Sequence, residues 1–123
     1  MEKQRILLIE DDAFLAGIYA RKLELAGYDV SLATNGEDGL RLAAKDLPAL
    51  ILLDLVLPKV DGFEVLTMLK QDAATRSIPV IILSNLGQRE DVERCIALGA
   101  AGYVIKAHAL PDETVAKVKE LLP

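Results

Sequence analysis

The chain predicts an α/β domain built on a five-stranded parallel sheet with helices packed on both faces. Three observations lead there. Four short runs, Ile6-Leu7-Leu8-Ile9, Leu50-Ile51-Leu52-Leu53, Val80-Ile81-Ile82-Leu83 and Tyr103-Val104-Ile105, are continuously apolar, as central parallel strands buried on both faces are. A further run, Tyr28-Asp29-Val30-Ser31-Leu32, alternates apolar with polar and reads as a half-buried strand at a sheet edge. Helical patterns lie between the runs, so strand and helix alternate five times, and right-handed crossovers then make the sheet parallel.

Each helix has its own signals. Asp12 caps a first helix over about Ala13 to Ala26, with Gly27 beyond its end. Asn35 caps a second that carries Leu40, Ala43, Ala44 and Leu47 on one face. Asp61 caps a third whose Val65, Leu66 and Leu69 share a stripe. A fourth runs from about Gln88 to Leu98 and stops at Gly99. The fifth opens with Pro111, places Asp112 and Glu113 where they favour the dipole, and turns Val115, Val118 and Leu122 inward.

The 123 residues fit one domain, large enough to bury a core without disulfides or metal staples. Its 52% hydrophobic content never approaches the roughly 20 uninterrupted apolar residues of a membrane span. Met1-Glu2-Lys3-Gln4-Arg5 leads into the first strand without a signal-peptide core, so a cytoplasmic protein is expected. Nineteen acids against 14 Lys and Arg give a net charge of −5 with no basic block, which argues against a direct nucleic-acid surface. The single Cys95 has no second cysteine and no adjacent base, and reads as a packed thiol.

The chemistry lies at the carboxyl ends of the apolar runs. They deliver Glu10, Asp11 and Asp12, then Asp54, Ser84 and Lys106. In an open parallel sheet the ligand crevice lies just beyond those ends, so these groups converge. Clustered carboxylates repel one another unless a cation intervenes, and an oxygen-only set suits Mg²⁺. Asp54 is then the natural nucleophile, because an aspartate can accept a phosphoryl group as an acyl phosphate. Ser84 and Lys106 add a hydroxyl and an ammonium for the equatorial oxygens.

With those residues in place the chain resembles the receiver domain of bacterial two-component response regulators, over essentially its whole length. The matching motifs are Ile9-Glu10-Asp11-Asp12, Leu53-Asp54-Leu55-Val56-Leu57-Pro58-Lys59-Val60-Asp61-Gly62, Leu83-Ser84 and Tyr103-Val104-Ile105-Lys106. The resemblance implies a CheY-like, flavodoxin-like fold of strand order 2-1-3-4-5, with residues 1–123 forming a single receiver domain and no output domain. It implies that Asp54 is the phosphoacceptor, that Asp11 binds Mg²⁺ directly and Glu10 mostly through water, and that the Val56 backbone carbonyl is a further ligand. Lys106 and Ser84 would grip the phosphoryl oxygens, and Ser84 and Tyr103 would form the switch. The donor would be a sensor histidine kinase or a histidine phosphotransfer protein. The reader would be a protein effector, an output domain or a second receiver, engaged through the face made by the fourth helix, fifth strand and fifth helix. Such a protein catalyses only its own phosphoryl transfer and slow autodephosphorylation.

Three positions depart from the commonest family pattern. Leu57 stands where Met is frequent, and Asn85 follows Ser84 where Ala or Gly is usual, which would narrow access to the phosphate. Val56 and Leu86 would flank the hydrolytic water, and neither can orient it, so a long-lived phosphoryl group is expected. Ala107 replaces the usual Pro after Lys106. Because a cis bond before Ala costs about 2.5–4 kcal/mol, this peptide is expected trans, with Leu110 pinning the loop by packing and Lys106 still reaching Asp54. His108, the only histidine, reads as a solvated loop residue. Two other readings were weighed. A dehalogenase-like phosphohydrolase needs an acid two residues after its nucleophile, where this chain has Val56. A pseudo-receiver would lack part of the five-residue set, all of which is present.

Overall fold

The computed structural model describes residues 3–122; Met1 and Glu2, read above as leading into the first strand, and Pro123 lie outside the described residues. The elements run β1 (Arg5–Ile9), α1 (Ala13–Leu25), β2 (Asp29–Ala33), α2 (Gly36–Asp46), β3 (Leu50–Leu53), α3 (Gly62–Gln71), β4 (Val80–Ser84), α4 (Arg89–Ala97), β5 (Gly102–Ile105) and α5 (Pro111–Leu121). All strand pairings are parallel, and the order is β2-β1-β3-β4-β5. The flavodoxin-like order expected from the sequence is the observed one. After β2 the chain crosses β1 to enter β3, so the order reverses between β1 and β3. The crevice opens at that point.

Alternate side chains of each central strand feed opposite layers. Leu7, Ile9, Ile51, Leu53, Val80 and Ile82 meet Ala43 of α2, Val65, Leu66 and Leu69 of α3, and Cys95 of α4. Ile6, Leu8, Leu50, Leu52, Ile81 and Leu83 meet Ala16, Tyr19 and Leu23 of α1 and Val118 of α5. Both faces are therefore dry, which is why these runs are continuous in sequence. Each Leu or Ile so buried stabilises the fold by about 1.5–3 kcal/mol.

The caps act as read. The Asp12 carboxylate accepts from the Phe14 and Leu15 amides, Asn35 from Asp38, and Asp61 from Glu64. Gly27 and Gly99 leave α1 and α4 at φ +104° and +105°, a region that side chains resist.

The structure differs in three places. Leu47 does not continue the α2 stripe: it adopts a left-handed conformation (φ 46°) and is exposed, because Pro48 cannot carry the helix forward. Ala44 also faces solvent. In α5 the expected stripe holds: Val118 is fully buried, Val115 and Leu122 pack half-buried against the same layer, and Thr114 joins them. Leu110 pins nothing, being 67% exposed; a short 3₁₀ turn over Lys106–His108 carries the chain round, and Ala109 packs in its place. The Lys106–Ala107 peptide is trans, as expected before a non-proline residue.

Thr114 is fully buried, and its Oγ1 has no hydrogen-bond partner among the described residues. An unsatisfied buried hydroxyl costs about 1–3 kcal/mol. Thr114→Val, which keeps the shape and removes the hydroxyl, is expected to raise the urea midpoint at unchanged m-value. Thr114→Ser, which keeps the hydroxyl and loses a methyl, is expected to lower it.

Candidate functional site

Glu10 and Asp54 are the first residues after β1 and β3, and the ladder still holds both. The Asp54 amide donates to the Ile9 carbonyl at 3.0 Å, and the Glu10 amide to the Ala33 carbonyl at 2.9 Å. Both side chains are buried, Glu10 being 1% and Asp54 7% exposed. Asp11, the next residue, is exposed. Carboxylate oxygens of Glu10, Asp11 and Asp54 lie within 4.8 Å of one another, so two adjacent acids after β1 and one after β3 form one acidic cluster.

Lys106 enters that cluster from β5. Its ammonium donates to the Glu10 carboxylate and, at 3.0 Å, to Asp54 Oδ2. The remaining acceptor sites are partly taken. Glu10 Oε2 accepts from the Asp12 amide at 3.3 Å, and Asp54 Oδ1 from the Val56 amide at 3.2 Å. Burial, with Asp54 close by, pushes the Glu10 carboxyl above its ordinary value despite the Lys106 hydrogen bond that opposes it. Burial would lower the Lys106 ammonium, yet its bonds to Glu10 and Asp54 more than offset this and hold it above its ordinary value.

Ser84 and Tyr103 both bond to one residue, Leu86. The fully buried Ser84 hydroxyl accepts from the Leu86 amide at 3.4 Å, while the Tyr103 hydroxyl donates to the Leu86 carbonyl. Among the described residues no hydrogen bond joins Ser84 to Asp54 or Lys106. Burial pushes the Tyr103 phenol up to about 12, so it remains a donor. Tyr103 also lines a groove of about 430 Å³ between α4, β5 and α5, with Val92, Ile105, Glu113 and Lys117. His108 is exposed at the end of this groove, and Cys95 is a packed thiol whose pKa burial raises to about 11.

The loop after β3 holds what the sequence did not reveal. Val60 donates to the Pro58 carbonyl at 2.9 Å around Lys59, whose φ is +70°, which makes a γ-turn. A lysine gives no sequence signal for that conformation. Gly62, named above only as the end of the Leu53–Gly62 motif, lies against the carboxyl end of β3: a β-carbon there would stand 2.4 Å from the Asp54 carbonyl oxygen and from Leu55 Cα. Tyr19 of α1 was also unremarked, and it lines a second cavity with Asn85, Lys106 and Ala107.

The Glu10 shift has a sign that can be tested. A carboxyl whose folded pKa is raised contributes stability that is present below its unfolded value, near 4.5, and lost as pH rises through the folded value. In chelated buffer Glu10→Gln is therefore expected to raise the melting midpoint near neutral pH. That gain should shrink as the solution is acidified and both forms become neutral. A midpoint lowered at neutral pH would contradict the assignment.

Comparison with known proteins accords with this geometry. Residues 6–119 match the family model of the response regulator receiver domain. The DNA-binding dual master transcriptional regulator RpaA of Synechocystis is 44% identical over 118 residues, covering 96% of this chain and 48% of that protein. The chain thus spans about half the length of the first curated relatives it matches. Among solved structures, the Francisella response regulator 1452 receiver domain superposes with a TM-score of 0.89 at 28% identity, covering 97% of this chain and 96% of that one. The Mn²⁺-bound form of response regulator Rcp1 superposes with a TM-score of 0.84 at 28% identity, covering 95% and 92%. Matched along nearly all its length, the chain belongs to the response regulator receiver domains, the phosphoacceptor switches of two-component signalling.

Proposed function

We propose that Asp54 accepts a phosphoryl group from the phosphohistidine of a sensor histidine kinase or a histidine phosphotransfer protein, with Mg²⁺ as the cofactor. The observation that carries this reading is the buried Lys106 ammonium on Glu10 and Asp54, beside a third carboxylate, at the strand ends. Three carboxylates against one ammonium leave the cluster under-neutralised, and all its ligand atoms are hard oxygens. The residues therefore fit Mg²⁺. As the family resemblance implies, direct ligation would fall to Asp11, Asp54 and the Val56 backbone carbonyl, with Glu10, the most deeply buried of the three acids and bonded to Lys106, acting through water. Bound there, the cation would screen the carboxylates from the incoming phosphoryl group. That a similar protein, Rcp1, has been crystallised with Mn²⁺ supports a divalent cation in this fold.

In the transfer, an Asp54 carboxylate oxygen forms the new O–P bond as the donor's N–P bond breaks. The electron pair of that bond stays on the imidazole nitrogen of the donor. Lys106, already 3.0 Å from Asp54 Oδ2, compensates charge on the phosphoryl oxygens. Ser84 would leave the Leu86 amide to donate its hydroxyl to the phosphoryl group. That exchange frees one end of Leu86 while Tyr103 still holds the other, and the change reaches the groove of α4, β5 and α5. The reader of this face would be an effector protein, an output domain or a second receiver. The exposed Phe14, Val56 and Leu110, all in segments that follow strand ends, favour a protein donor with its own apolar surface. The reading treats the chain as a single receiver unit and assigns no nucleic-acid contact to it, in keeping with the net charge of −5. Whatever DNA binding the name of RpaA records is a property of that longer protein.

Incubation with acetyl phosphate and Mg²⁺ is expected to add the mass of one phosphoryl group. Chelation should abolish the addition, Asp54→Asn should not label, and Asp11→Asn should weaken cation binding more than Glu10→Gln. Equal labelling of Asp54→Asn would refute the assignment, and a folded parent that never labels would favour a pseudo-receiver.

The output face has its own measurement. With beryllofluoride bound as a phosphoryl mimic, amide exchange is expected to change in residues 84–98 and 103–117. Changes confined to α1 and α2 would exclude the face between α4, β5 and α5.

A further inference from the structure

The loop from Leu55 to Gly62 carries the proposed Val56 ligand and is fixed from three directions. Its base is closed by the Gly62 amide donating to the Leu55 carbonyl at 2.9 Å. Leu57 and Val60 pack their side chains into the core layer of α2, α3 and α4. The third support comes from another element. Gly36, the first residue of α2, stands so close that a β-carbon there would lie 2.4 Å from the Val60 carbonyl oxygen and 2.7 Å from Val65 Cγ2. A carbonyl oxygen is backbone and cannot rotate aside as a side-chain tip can. Val60 in turn closes the γ-turn on Pro58 through the left-handed Lys59. A push on Val60 therefore travels through a turn that is already strained, toward Val56.

Its helix neighbours show that this contact is particular. For a β-carbon on Gly39, one turn later, the three nearest atoms all belong to the side chain of Ile9, the closest at 2.5 Å, and none is backbone. Gly36 has no positive φ, so space and not backbone conformation is what the position requires.

We propose that Gly36 is a positioning residue for the phosphoryl site, seating the start of α2 against the Val60 carbonyl and so fixing the loop that presents the Val56 carbonyl beside Asp54. This rests on the reading of Val56 as a cation ligand. Supports one step removed from a metal commonly change its affinity by about 10–100-fold when altered.

The test compares Gly36→Ala with Gly39→Ala, using amide resonances without metal and a Mg²⁺ titration. Gly36→Ala is expected to shift the amides of residues 55–60 and to weaken Mg²⁺ by about tenfold. Gly39→Ala, which overpacks Ile9, should lower stability while leaving the amides of 55–60 and the Mg²⁺ midpoint within about twofold of the parent. If Gly36→Ala is too unstable to titrate, Gly36→Ala/Val65→Ala removes the side-chain collision, keeps the carbonyl one and lets the new methyl fill vacated space. It should show the same weakening. Undisturbed amides at 55–60 with a parent-like Mg²⁺ midpoint would overturn the proposal, as would equal effects from Gly39→Ala. If the parent itself ignores Mg²⁺ while Gly36→Ala still moves the loop amides, the cation reading fails and the hold of Gly36 on the loop stands.

Discussion

The ammonium of Lys106, nearly buried between the carboxylates of Glu10 and Asp54 at the carboxyl ends of β1, β3 and β5, is the interaction to which the rest of the molecule answers. Placing those charges at the end of a dry sheet is expensive. Buried ion pairs rarely stabilise a fold better than apolar side chains of similar size would. The cost is met by the two apolar layers, whose Leu and Ile side chains are buried almost completely on both faces. The sheet also supplies the geometry: the hydrogen bond from Asp54 to Ile9 extends the β1–β3 ladder one residue past the strand, so a rigid element aims the carboxylate. Lys106 neutralises only part of the charge. With Asp11 alongside, the pocket remains a place where another cation lowers the energy.

Close backbone contacts complete the pocket. Gly62 brings the start of α3 onto the Asp54 carbonyl, and Gly36 brings the start of α2 onto Val60. Between them runs a loop containing a left-handed lysine, a conformation that persists only because its surroundings enforce it. The loop on the opposite side of the pocket is held more lightly. Leu86 is tied by its amide to Ser84 and by its carbonyl to Tyr103. The helix that follows, α4, buries a single residue, Cys95, and has no side-chain cap; Arg94 lies 4.0 Å from the centroid of the Phe63 ring and ties it to α3. An element with so little buried surface is the least costly one to move. The molecule thus pairs a rigid charge pocket with a loosely seated helix, which is the division of labour that a switch requires.

Much of this was legible before any coordinates. Continuous apolar runs identified the central strands because burial on both faces leaves no position for a polar residue, and the alternating Tyr28–Leu32 run identified the edge strand. Glu10, Asp11, Asp54 and Lys106 were brought together correctly because strand ends in a parallel sheet must share one edge. The errors have a common origin. Leu47 and Leu110 were read as apolar and therefore inward, yet both are exposed. Their positions depend on where a helix stops or how a loop turns, and hydrophobicity alone carries no such information.

What the sequence by itself determined is therefore the order of strands and helices, their caps, the two-layer core and the identity of the charges at the crevice. Those follow from local pattern and from the chirality of crossovers. The tertiary structure alone decided that Lys106 bonds Glu10 as well as Asp54, that Ser84 and Tyr103 both hold Leu86, and that Gly36 and Gly62 carry the loop beside Asp54. Each of these is a contact between segments distant in sequence, set to fractions of an ångström by packing. A linear pattern of residue types cannot encode such distances, because they arise only when the layers close on one another.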